Sequence, residues 1–89
     1  MRSRASKPFW DRFHKLPPEI RDEAREAYRL FCEDPRHPSL WFKKVHGAEP
    51  VYSVRIARGF RALGRLDGDL VVWFWIGPHD EYMRLLGQR

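Results

Sequence analysis

A single cysteine, Cys32, excludes an internal disulfide, so the fold must hold by its core alone. No apolar run approaches the roughly 20 residues that a membrane-spanning helix needs. The N-terminal MRSRASKPFW lacks the apolar stretch of a secretory leader. The expectation is a soluble, cytoplasmic chain with no membrane partner. No four-ligand zinc spacing is present, and internal repeats and low-complexity segments are missing. Acidic residues are scarce in the middle of the chain. Residues 35–65 hold seven basic side chains (Arg36, Lys43, Lys44, Arg55, Arg58, Arg61, Arg65) against Glu49 alone. Residues 1–34 hold eight basic against seven acidic, and residues 66–89 hold two against four. The net charge of +5 is therefore a local excess. It fits either a polyanionic partner, nucleic acid or an acidic protein segment, or a solvated basic face.

What is present suits one small domain spanning residues 1–89, with residues 1–7 a loose arm. The composition, 43% hydrophobic and 15% aromatic, allows one modest core rich in Trp and Phe. Residues 8–15 (PFWDRFHK) predict a short helix, with Phe9 and Phe13 four apart and Trp10 alongside. Leu16-Pro17-Pro18 breaks it, and Pro18 suits the first turn of a second helix. Ile20, Ala24, Ala27, Tyr28 and Phe31 form its apolar stripe, and Asp34-Pro35 ends it.

The period then changes. LWFKKV (40–45) predicts a first strand or an extended lead-in. VYSVRIA (51–57) alternates, FRALGRL (60–66) follows Gly59, and LVVWFWI (70–76) reads as a strand covered on both faces. Residues 79–86 predict a short terminal helix, with Tyr82, Leu85 and Leu86 docking back. The fold class is α+β: an N-terminal helical hairpin packed on an antiparallel three- to four-stranded sheet, with a short C-terminal helix.

Register turns the sheet into a candidate site. A three-residue loop Ala57-Arg58-Gly59, with Gly59 left-handed, sets Arg55 opposite Arg61 and Val54 opposite Ala62. A two-residue loop at Asp67-Gly68 sets Ala62 opposite Trp73 and Arg61 opposite Phe74. One face then carries Tyr52, Val54, Ile56, Phe60, Ala62, Trp73 and Trp75 under the helices. The other carries Ser53, Arg55, Arg61, Arg65, Leu63 and Phe74. His79 leaves the last strand at the edge where Arg58 turns. Guanidiniums bind phosphate oxygens and stabilise the added charge of a phosphorane-like transition state. An imidazole moves protons near neutral pH, and a tyrosine stacks on an exposed base. Those parts fit RNA cleavage by a 2′-OH on its neighbouring phosphate, with no metal or small-molecule cofactor. The same residues also read more simply. Strand arginines form solvated faces, a histidine after Gly-Pro begins helices, and Tyr82 at helical spacing from Leu85 and Leu86 anchors to a core. His37 and His46 read as structural, Cys32 as a partly buried bystander, and Trp41, Trp73 and Trp75 as packing.

The order of these pieces resembles the RelE/ParE superfamily of bacterial type II toxins over about residues 8–86. The resemblance rests on the helical hairpin ending EDPRHPSL, then FKKVHG, YSVRI, GFRALG and the strand ending WFWIGPHDEY. For RelE-like members it implies a small basic ribonuclease that enters the ribosomal A site and cuts mRNA, leaving a 2′,3′-cyclic phosphate. It also implies silencing by a cognate antitoxin. The implied catalytic set is Arg61 as phosphate and transition-state contact, His79 as general acid or base, the aromatic Tyr82, and Arg55. Ser53 is implied at a strand position that binds RNA or phosphate; Lys43, Lys44, Arg58 and Arg65, from the basic middle of the chain, are further candidates for that binding. His46 and Glu49, in the loop before YSVRI, are open as a base. ParE-like members share the fold and poison DNA gyrase without such a site.

Overall fold

The computed structural model describes residues 1–45 and 49–87; within them the side chain of Leu86 is not described, and His46 lies outside the described residues. In chain order the elements are β1 (Arg2–Ala5), α1 (Lys7–Phe13), α2 (Pro18–Glu33), a 3-10 turn (Pro38–Leu40), β2 (Lys43–Lys44), β3 (Val51–Ala57), β4 (Phe60–Asp67), β5 (Leu70–Pro78) and α3 (His79–Gly87). The sheet has five strands in the order β1-β5-β4-β3-β2. Its meander is antiparallel, while β1 lies parallel to β5.

That first strand corrects the expected loose arm. Arg2 pairs with Leu70 and Ala5 with Trp73. Its polar sequence RSRA gives no apolar alternation, so its order comes from β5 and from the Ser3 hydroxyl, which donates to the Tyr28 hydroxyl at 3.0 Å. Tyr28 is accordingly an exposed flank of α2 rather than a core residue. Ala24, Ala27 and Phe31 of the same stripe are buried as the periodicity requires.

The helices α1 and α2 cover one face of the sheet, where Phe13, Phe31, Val54, Ala62, Trp73 and Ile76 form the main core. Phe31 meets Trp73 edge to face at 5.3 Å, an arrangement worth about 0.5–1.5 kcal/mol beyond area burial. Gly64 makes room for Trp73. A Cβ there would lie 2.6 Å from both the indole and Val71.

α3 covers the opposite face through a second cluster of Leu63, Trp75 and Tyr82. Trp75 is therefore not under the helical hairpin as the simple alternation predicts. Two departures move it. The turn begins on Gly68 (φ +62), so Asp67 still pairs with Leu70. The register then shifts between Leu63 and Gly64, whose partners are Trp75 and Trp73, leaving Phe74 as an extra residue. Such a bulge flips which side chains share a face. Ala62 lies opposite Ile76 and Arg61 opposite Gly77, instead of opposite Trp73 and Phe74. Cys32 is exposed rather than partly buried, and Leu85 is exposed too. No helix of the described residues is long and apolar enough to cross a membrane.

Candidate functional site

The site grows from the β3–β4 turn. Gly59 adopts φ +81, the left-handed conformation expected of it. Arg55 pairs with Arg61 and Val54 with Ala62, as the loop reading predicts. A shift between Arg55 and Ala57 absorbs Ile56 as one extra residue at the turn. On the other side of β4, Phe60 pairs with Pro78 and Arg61 with Gly77. His79 follows directly, and its backbone N–H donates to the Gly59 carbonyl at 2.7 Å. One hydrogen bond thus ties the start of α3 to the basic turn.

Gly77 is the narrow point of that exit. A Cβ there would meet the Trp75 ring at 2.9 Å and Glu81 Oε1 at 3.2 Å. Arg12 of α1 fixes the same corner from outside. Its Nε donates to the Ile76 carbonyl at 3.0 Å, its guanidinium stacks over Trp75 at 5.0 Å, and it pairs with Glu81 of α3.

Arg55, Arg58, Arg61, His79 and Asp80, with Trp41, line an open concavity of about 460 Å³. Among the described residues no carboxylate pairs with Arg55, Arg58 or Arg61. Asp80 is the one carboxylate of that lining among the described residues and pairs with none of them, so the three guanidiniums leave an excess of positive charge there, an arrangement suited to an anion. Burial pushes the Arg61 pKa below the usual guanidinium range. The Tyr82 hydroxyl opposes that shift and Arg55 adds to it. Arg61 remains a cation at neutral pH, but an unfavourably placed one, so an arriving phosphate gains more from it.

Trp41 supplies the cover. The sequence assigns it to packing, yet it is 55% exposed. Its backbone is left-handed at φ 50, ψ 43, unusual for a bulky residue. Its indole lies over both arginines, 5.3 Å from the Arg55 guanidinium carbon and 5.4 Å from that of Arg61. The preceding 3-10 turn is capped by His37, whose Nδ1 accepts from the Ser39 N–H at 3.2 Å, so His37 is structural as expected.

Other expected site residues fall elsewhere. Tyr82 is 5% exposed, and its ring packs near Trp75 and His79 at 6.5 and 5.7 Å. It supports the site from beneath and offers no free face for stacking. Ser53 shares the face of Arg55 but is 1% exposed, so it cannot meet RNA at the surface. Arg65 stands four residues along β4 from Arg61 and pairs with Glu49 at 3.1 Å, outside the concavity. Lys43 lies opposite Ser53 and Lys44 opposite Tyr52, so alternation puts Lys43 on the site's face and Lys44 on the hairpin's. In the sequence Asp80, Arg12 and Gly77 carry no role in the site, and Trp41 is assigned to packing. The clue for Gly77 and Asp80 was their adjacency to His79; for Trp41 and Arg12 the sequence carries no such sign.

A family model, the ParE-like toxin domain, matches residues 18–84. The chain belongs to the ParE-like toxin domain family. Solved structures agree on the fold of this toxin domain. RelE in the RelB–RelE antitoxin–toxin complex from Methanococcus jannaschii aligns with TM-score 0.72 at 17% identity, covering 91% of this chain and 95% of that one. The YoeB/ParE toxin from Agrobacterium tumefaciens aligns at 0.69 and 15% identity, covering 89% and 99%. The isolated E. coli RelE toxin aligns at 0.67 and 16% identity, covering 98% and 96%. No curated protein sequence matches the toxin domain. This ParE-like toxin domain has the fold seen in those RelE and YoeB/ParE structures.

Proposed function

We propose that this toxin acts in the cytoplasm as a ribosome-dependent mRNA endonuclease, cutting in the A site and so halting translation. One observation carries the reading: Arg55, Arg58 and Arg61 converge without carboxylate partners beside His79 at one edge of the sheet. The reaction that uses these parts is attack by a 2′-OH on the adjacent phosphate. The 2′-oxygen–phosphorus bond forms as the 5′-oxygen–phosphorus bond breaks, leaving a 2′,3′-cyclic phosphate and a 5′-OH. The 2′-OH loses a proton and the 5′-oxygen gains one. Arg61 and Arg55 hold the phosphate oxygens and stabilise their growing charge. Arg58 binds the flanking backbone from the turn. His79 transfers the proton, with Tyr82 packed against it. Primer extension on mRNA from cells expressing the toxin tests this. Cuts within codons support the reading, and intact transcripts in arrested cells overturn it.

The partner that silences the toxin is a cognate antitoxin, as the RelB–RelE complexes among the structural neighbours suggest. We place one of its segments in the groove between β1, α1 and α2, of about 350 Å³. Exposed Trp10 and Tyr28 flank that groove and Arg4 and Arg25 charge its rim. Trp73, at its floor, has a buried indole N–H with no hydrogen-bond partner among the described residues. An acidic segment with apolar side chains suits that surface.

A second reading, a gyrase-directed toxin without nuclease chemistry, is favoured by the ParE-like description of the matching family. DNA-damage induction with uncut mRNA would select it.

A further inference from the structure

The residues around Trp41 leave its indole nowhere to go but outward. Leu40 is 1% exposed in the main core. Phe42, on the other side, sits between Phe31 and Tyr52 at 5.2 and 5.0 Å. Both flanking residues thus turn inward, and Trp41 between them takes the left-handed backbone at φ 50. A tryptophan there for packing alone would be buried, and one there by default would not need a strained backbone. Instead its ring spans the two guanidiniums that face the concavity, with more than half of the residue open to solvent.

We infer that Trp41 is the stacking platform for a nucleobase of single-stranded RNA whose phosphate sits among Arg55, Arg58 and Arg61. The inference rests on the proposed RNA chemistry and names the residue that grips the base. Tyr82, the aromatic expected to do this, is buried and cannot. Guanidiniums stacked on an indole keep their N–H edges free for phosphate oxygens. A base laid on the indole extends that stack. An acidic peptide would use the arginines but has no need of an exposed ring beside them. Because every base has a π-face, the grip is tolerant of sequence.

The test compares two labelled 2′-fluoro RNA hexamers that cannot cleave themselves, one complete and one abasic at its three central positions. Wild type binds the complete hexamer on the order of tenfold more tightly than the abasic one. Trp41→Ala removes that difference, weakening the complete hexamer more than the abasic one, while Trp41→Phe keeps most of the difference. Equal weakening of both hexamers by Trp41→Ala would overturn the inference, because the indole would then act only through the arginines. So would a wild type that binds both equally or binds neither, or a Trp41→Ala variant that loses affinity only for a protein partner. A wild type that prefers the complete hexamer yet cuts no mRNA would sink the cleavage reading alone. A wild type that cuts mRNA without preferring bases would sink this inference alone.

Discussion

Arg55 and Arg61 stand directly opposite each other across β3 and β4, with the Trp41 indole over both. Like charges facing each other in a sheet destabilise it. The pair therefore costs the fold some stability, a cost that a bound phosphate would offset.

That cost has a sign that can be measured. Burial, helped by Arg55 and opposed by Tyr82, lowers the Arg61 pKa below its unfolded value. The unfolded chain thus holds the proton more tightly. The penalty is present in full at neutral pH and fades only as pH rises from the folded toward the unfolded pKa. Arg61→Met should stabilise the protein, by roughly 0.2–1 kcal/mol on the cross-strand scale, and raise Tm by a few degrees. The same variant should lose about a hundredfold or more in cleavage rate. Thermal melts and cleavage kinetics on one preparation check both directions.

Two glycines separate fold from site. Gly64→Ala drives a Cβ to 2.6 Å from Trp73 and Val71 in the main core. It should destabilise by about 1–3 kcal/mol, with activity per folded molecule near normal. Gly77→Ala meets Trp75 at 2.9 Å and Glu81 at 3.2 Å, directly before His79. It should lower the cleavage rate as well as Tm. Urea melts paired with single-turnover cleavage distinguish them.

Arg12 is tied to α3 through its ion pair with Glu81. The side chains are 38% and 39% exposed, so breaking the pair should cost the fold at most about 1 kcal/mol. Glu81→Gln should still reduce kcat with little change in KM, because it loosens the start of α3 and not the arginines. Salt should mimic part of the effect. An unchanged kcat in Glu81→Gln would show that α3 needs no such tie.

At the opposite face, Trp10→Asp should weaken antitoxin binding by tenfold or more, since buried aromatic anchors dominate interfaces. Cleavage by the free toxin should be unaffected, because Trp10 lies across the sheet from His79. Calorimetric titration with the antitoxin and a cleavage assay without it check the two halves.

Much of this architecture was legible in the residues. The stripe of Ala24, Ala27 and Phe31 located α2, and Arg58-Gly59 set a turn that fixed Arg55 against Arg61. What stayed hidden depended on distant partners. RSRA becomes a strand only because β5 lies beside it, and nothing local announces that. The run WFWI has no alternation, so its bulge at Phe74 left no trace in the pattern, and Trp75 changed faces unseen. Trp41 is left-handed without being Gly or Asn, the residues that usually mark that conformation. Its outward position follows from Leu40 and Phe42 being pulled inward on either side.

The most direct measurement is primer extension on a reporter mRNA after induction of the wild-type toxin, His79→Ala and Arg61→Ala. The account predicts cuts within codons for wild type, and loss of cutting by about a hundredfold or more with relief of growth arrest in both variants. Full toxicity of either variant, or arrest by wild type with the message intact, would contradict it.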